Sequence, residues 1–144
     1  MIDYLNGNDI VHINERTIRA HGGKFEAPHN LVDEEALAPI VESIANQSFN
    51  HLGDAAAAYL FQIIRHQPFL QANERTALQA ARTFVHLNGG AFHKKIKAVE
   101  VDGRRVPSEG NGREIWVKLV LEVRDGSVSL ENLIEFMSRN IRAK

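Results

Sequence analysis

Between Arg65 and Gly89 the chain reads RHQPFLQANERTALQAARTFVHLNG, and the back half of this stretch fits one kind of structure. From Thr76 to Leu87, the apolar residues Leu78, Ala81, Phe84 and Val85 recur at steps of three and four. That spacing puts them on one side of an α-helix. Arg75, Gln79, Arg82 and His86 follow the same period and form a polar stripe on the same rod. An amphipathic rod of this kind is stable only against a core, so the remaining sequence is read for elements that supply one.

The front half of the stretch sets a histidine, an aromatic and a small-residue turn directly before Asn73, Arg75 and Thr76. A turn without bulky residues that feeds a helix leaves backbone N–H groups free at the positive end of the helix dipole. Such an end binds phosphate, and the guanidinium of Arg75 adds a forked, permanently charged pair of donors. The plainer reading is that Asn73 and Arg75 only cap the helix and pair with a surface carboxylate. Phe69 reads as a core anchor that fixes the loop. Arg82 is open between binding phosphate and forming a salt bridge further along the helix, and His86 reads as structural or solvated.

Composition narrows the class. With 144 residues, 44% hydrophobic and 24% charged, the chain is long enough for one core and globular in character, which predicts a single domain over 1–144. A net charge of −1 argues against a nucleic-acid partner that needs a basic surface. No apolar run approaches the length of a membrane span, and the N-terminus lacks a signal-peptide pattern. The absence of cysteine excludes a disulfide framework and thiolate chemistry, and suits a cytoplasmic protein. The seven histidines show no metal-ligand spacing, so no protein-bound zinc is expected.

Taken in order, Asn8 or Asp9 is expected to cap a first helix running to about Ala20, ended by His21-Gly22-Gly23. Lys24 to Val32 reads as a loop. Asp33 is expected to cap a second helix, DEEALAPIVESIANQSF, bent or delayed by Pro39. A third runs from Gly53-Asp54 to Ile64, with an Ala55–Ala58 run that lets a neighbour approach closely. Ala91 to Val101 fits neither period cleanly and is open between helix and strand. Asp102-Gly103 is a turn signal, and Arg104 to Gly112 reads as polar and flexible. REIWVKLVLEVRDG is rich in β-branched residues, but its apolar positions fit a helical face, so it is read as a helix. Ser129 caps the last helix. The expected fold class is all-α, a single-domain bundle of about six helices.

QPFLQANERTA resembles the signature of the Fic/Doc superfamily, written roughly H-P-F-x-D/E-G/A-N-x-R-T-A, and most resembles the Doc (death-on-curing) branch. Pro68, Phe69, Ala72, Asn73, Arg75, Thr76, Ala77 and Leu78 match. The helix ending in Gly-Gly, the flap-like loop after it and the final helix pair also agree with a Doc-like fold. Lys24, Phe25 and His29 fall on that flap. The resemblance implies an active-site loop over 66–76 and a possible inserted loop over 92–112.

In the family a nucleotide binds the Asn-x-Arg loop, a histidine takes a proton from a target hydroxyl, and a phosphoryl or AMP group moves to protein. The resemblance therefore implies ATP with magnesium, if the chain is active. It assigns His66 and Gln67 to the catalytic positions, and Phe69, Ala72, Asn73, Arg75, Thr76 and Arg82 to nucleotide or phosphate binding. Gln71 stands where the family has its acidic metal ligand.

Two of those positions depart from the pattern. Gln67 fills the slot of the base, with His66 one residue early, and a carboxamide cannot accept a proton near neutrality. A neutral Gln71 is a much weaker metal ligand than a carboxylate, and Glu74 puts a negative charge beside the proposed phosphate site. Two readings follow. One is a Doc-like toxin-family protein that binds nucleotide with impaired or lost transfer. The other is an active Doc-type kinase or AMP-transferase that uses His66 and acts on a protein of the elongation factor Tu class. Either implies an antitoxin segment that folds on binding, and no membrane. A second string, Glu109-Gly110-Asn111-Gly112-Arg113, spells the wording of the broader Fic motif. Arg105, Val106 and Pro107 stand where His, Pro and Phe should be, so it is read as a Gly-rich hinge before a helix.

Overall fold

The computed structural model describes residues 1–144. Six helices carry the chain: α1 Gly7–His21, α2 Ala38–Asn46, α3 Leu52–His66, α4 Asn73–Leu87, α5 Glu114–Asp125 and α6 Leu130–Asn140. Four three-residue strands accompany them: β1 Gly90–Phe92, β2 Val99–Val101, β3 Arg104–Val106 and β4 Ile141–Ala143. The architecture is the all-α bundle that the periodicity predicts, closed at two places by short antiparallel pairs, β1 with β4 and β2 with β3.

Helix α3 is the axis of the bundle. It buries Gly53 and every residue from Ala55 to Leu60, together with Ile63 and Ile64. A helix that is apolar nearly all round can be satisfied only by neighbours on several sides, and α3 packs chiefly between α4 and α6. Small residues set the closeness of that packing. A Cβ on Gly53 would fall 2.9 Å from the Cα of Ser138 on α6, nearer than two such carbons approach. Tyr59, in the middle of α3, packs at 5.2 Å on Phe84 of α4 with the rings tilted by 46°, and Trp116 of α5 meets Phe136 of α6 edge-on at 5.5 Å.

Several boundaries differ from expectation, each for a local reason. The cap of α1 is Asn6: its side chain accepts from the Asp9 N–H, and the Asp9 carboxylate accepts from the Asn6 N–H. Asp33 caps no helix. Its carboxylate accepts from Glu35 N–H at 2.8 Å in a tight turn, and α2 starts only at Ala38, with Pro39 in its first turn where a missing N–H costs nothing. The 92–112 stretch is neither a helix nor featureless. Val99–Val101 and Arg104–Val106 form a hairpin through Asp102 and Gly103, both at positive φ (52° and 79°), the backbone that a two-residue hairpin turn requires. Val106 is fully buried by it.

Candidate functional site

The loop between α3 and α4 is built by two left-handed residues. Gln67 ends α3 at φ 47°, and Ala72 precedes α4 at φ 63°. Between them Phe69 is 2% exposed and pins the loop to the core. Asn73 locks its shape: Oδ1 accepts from Phe69 N–H at 2.9 Å, and Nδ2 donates to Phe69 O at 2.8 Å. Asn73 is therefore a brace for the loop, and its buried carboxamide does not reach out to a phosphate as the motif reading assigned.

The segment after α1 closes over this loop. Leu31 and Phe69 form an isolated antiparallel bridge, with Val32 N–H donating to Pro68 O at 2.8 Å and Leu70 N–H to Asn30 O at 2.9 Å. Beneath the bridge runs a buried polar chain. Asn30 Nδ2 donates to Asn14 Oδ1 at 3.0 Å, and Asn14 Nδ2 donates to both Gln71 O and Thr76 Oγ1 at 3.0 Å. Thr76 is fully buried in this chain, so its hydroxyl is spent on Asn14 and not on a nucleotide. From sequence, Asn14 is not singled out, and Asn30 reads only as a loop breaker. The available signal was Asn14 itself, a carboxamide amid Ile10, Ile13, Thr17 and Ile18 on the buried side of α1.

The start of α4 remains open. No side chain caps it, and Thr76 is its first residue whose N–H finds a backbone acceptor, Ala72 O at 2.9 Å. The N–H groups of Asn73, Glu74 and Arg75 are left at the positive end of a 15-residue helix. Arg75 is exposed and takes part in none of the five ion pairs. The negative charge of Glu74 is offset by Arg124 at 3.3 Å. Helix end and guanidinium together have the chemistry of an anion site.

The remaining candidates lie as follows. Gln67 is exposed, but its carboxamide folds back on the loop: Nε2 donates to Ile64 O at 2.9 Å, and Oε1 accepts from Asn73 Nδ2 at 3.3 Å. His66 is the exposed last residue of α3. Gln71 Oε1 accepts from Lys24 N–H at 3.2 Å, which occupies the oxygen expected to face a metal. Arg82 does not join the site. It stands roughly 10 Å further along α4 than Arg75 at a rise of about 1.5 Å per residue, with its guanidinium 5.1 Å over the Trp116 ring. Partial burial there lowers its pKa from the ordinary arginine value. Of the alternatives left open, the salt bridge is absent, and a cation–π contact holds the side chain.

This arrangement, a buried asparagine brace before an uncapped helix with an overlying strand-like segment, coincides with the matched part of a known family. The Fic/DOC family model matches residues 4–85. The chain belongs to the Fic/DOC family. Within it, the chain is 31% identical over 90 residues to Toxin Doc of Mycolicibacterium smegmatis (strain ATCC 700084 / mc(2)155), a span that covers 62% of this chain and 67% of that protein. The family match takes in α1, the overlying segment, the loop and most of α4, and it stops before β1. The hairpin, α5 and α6 of this Fic/DOC chain lie beyond it.

Proposed function

We propose that this chain is a Doc-like toxin-family protein that binds a nucleotide phosphate at the N-terminus of α4, with transfer of a phosphoryl or AMP group to a protein hydroxyl impaired or lost. One observation carries the reading. The same loop combines a free anion-binding end, formed by the Asn73, Glu74 and Arg75 N–H groups and the Arg75 side chain, with a base slot filled by a carboxamide bonded at both ends. Binding without efficient proton removal is what that combination gives.

The alternative, an active kinase or AMP-transferase that uses His66, has a definite structural demand. His66 ends α3, and Gln67 N–H donates to Ile63 O at 3.0 Å. Moving the imidazole into the slot of Gln67 unwinds that turn and breaks the bond. The residues present do not fit a magnesium ion held by the protein. The Gln71 carboxamide is engaged by Lys24, and no group of three His, Asp or Glu side chains converges anywhere in the chain. ATP would therefore bring any magnesium on its own phosphates. A protein target of the elongation factor Tu class and a short antitoxin segment are carried over from the Doc resemblance.

The test is ATP binding by calorimetry, paired with label transfer. The unmodified chain is expected to bind ATP, and Arg75→Ala to weaken binding at least about 10-fold, the worth of a lost charge-assisted hydrogen bond. In bacterial lysate with magnesium and ATP labelled at the α or γ phosphate, the unmodified chain is expected to leave proteins unlabelled, and Gln67→His to recover labelling. Robust γ labelling by the unmodified chain would overturn the impaired-transfer reading, and α labelling would move the chain to AMP transfer. Absence of ATP binding would overturn nucleotide recognition itself.

A further inference from the structure

A second concave site lies away from the α3–α4 loop, lined mostly by residues beyond the family match. It has a volume of about 1060 Å³ and is framed by the back half of α4, the segment after β1 and the start of α5. Its lining contains Arg82, Lys94, Lys95, Lys97 and Arg113, two histidines, and no carboxylate. None of the five cations takes part in an ion pair. A neighbouring cavity of about 620 Å³ shares Lys94, Lys95 and Lys97 and leads on to Arg139, which is paired with Glu135 at 3.2 Å, with Glu100 the one acid in its lining.

The sequence explains how so much charge of one sign gathers in a chain whose net charge is −1. No Asp or Glu occurs between Arg75 and Val99, or from Phe136 to Lys144. The antiparallel pairing of β1 with β4, with Phe92 opposite Ile141, brings these two acid-free stretches side by side. At the seam Lys144 Nζ lies against the His86 ring. Gly112 and Arg113, from the second Fic-like string, supply the opposite wall. The whole-chain charge averages away this segregation.

We infer that this groove is a docking surface for a single-stranded nucleic acid, held through its phosphodiester backbone. A track of unpaired lysines is a sequence-independent match for a repeating phosphate. The partly buried Phe92 and Ile96 give the same cavity an apolar floor on which unpaired bases can rest. The concave form suits a strand rather than a duplex, whose grooves are entered by a projecting helix or ribbon. An acidic peptide would match the lining only with a continuous acidic tract, whereas any nucleic-acid strand matches it by composition. Binding here is separate from binding at the start of α4.

The experiment is fluorescence anisotropy with labelled 20-mer oligouridylate and oligothymidylate, titrated with the full chain at several salt concentrations. Binding of either strand is expected, weakening steeply with salt. The Lys94→Glu/Lys95→Glu/Lys97→Glu variant should bind at least about 10-fold more weakly. Its salt slope should be shallower by about 2, the loss of three phosphate contacts at about 0.7 each. Arg113→Glu, on the opposite wall, should weaken binding in the same direction, and Arg75→Ala should leave it unchanged. The three lysines are exposed, so the unfolding midpoint of the triple variant should match that of the parent. No binding by the parent, full binding by both groove variants, or loss of binding in Arg75→Ala would overturn the inference. So would labelled polyglutamate binding the groove more tightly than either strand, which would assign it to an acidic protein partner.

Discussion

At the scale of single residues, the loop is held by carboxamides more than by charges. Asn73 satisfies both the N–H and the C=O of buried Phe69. Asn73→Ala removes both partners and leaves backbone groups without water or protein to bond. The expected cost is roughly 2–6 kcal/mol, at about 1–3 kcal/mol for each orphaned group, read as a lower urea midpoint with an unchanged slope. A merely exposed phosphate ligand would show no such loss. The motif made Asn73, Phe69, Ala72 and Arg75 legible from sequence, because spacing alone marks a turn feeding a helix. It marked Phe69 as the inward anchor, but it did not tell that the Asn73 side chain turns inward as well. Nor did it mark the braces Asn14 and Asn30, which lie 59 and 43 positions before Asn73 and reach the loop only through the fold.

At the scale of elements, periodicity found all six helices and misplaced mainly their starts. A cap is decided by one side chain choosing among several nearby N–H groups, and Asn6 outcompetes Asn8 and Asp9 because Asp9 can answer it from the third helical position. The strands were harder, since three residues are too few to establish a period, and pairing across the chain decides them. The docking of the N-terminal segment onto α3 was also hidden. It is made by one hydroxyl: Tyr59 Oη accepts from Leu5 N–H at 2.8 Å and donates to Leu5 O at 3.3 Å. Burial pushes the Tyr59 pKa from 10.0 up to about 12. A folded value above the unfolded one means that the native state holds its proton longer, so this contribution is complete below pH 10 and is lost as pH rises towards 12. Between those limits the chain should lose about 2–3 kcal/mol that Tyr59→Phe does not lose, at about 1.4 kcal/mol per unit. Unfolding curves of both proteins across that window check it, and equal slopes would show that Tyr59 is not the group responsible.

At the scale of the whole molecule, the bundle is arranged so that one end of α4 faces the Fic/DOC loop while the other faces the basic groove. The same distal end gathers the extremities of the chain. Asp3 N–H donates to Asn88 Oδ1 at 2.7 Å, Asn88 Nδ2 returns a bond to Asp3 O at 2.9 Å, and Lys144 N–H donates to Gly89 O at 3.1 Å. Two consecutive residues thus anchor both extremities, which makes the path of the polypeptide nearly a ring. A circularly permuted version, joined through a short glycine-serine linker and reopened between the exposed Glu34 and Glu35, should retain its helical circular dichroism and unfold cooperatively. A permutant without a cooperative transition would mean that the order of synthesis, and not only the closed geometry, is needed to reach this fold.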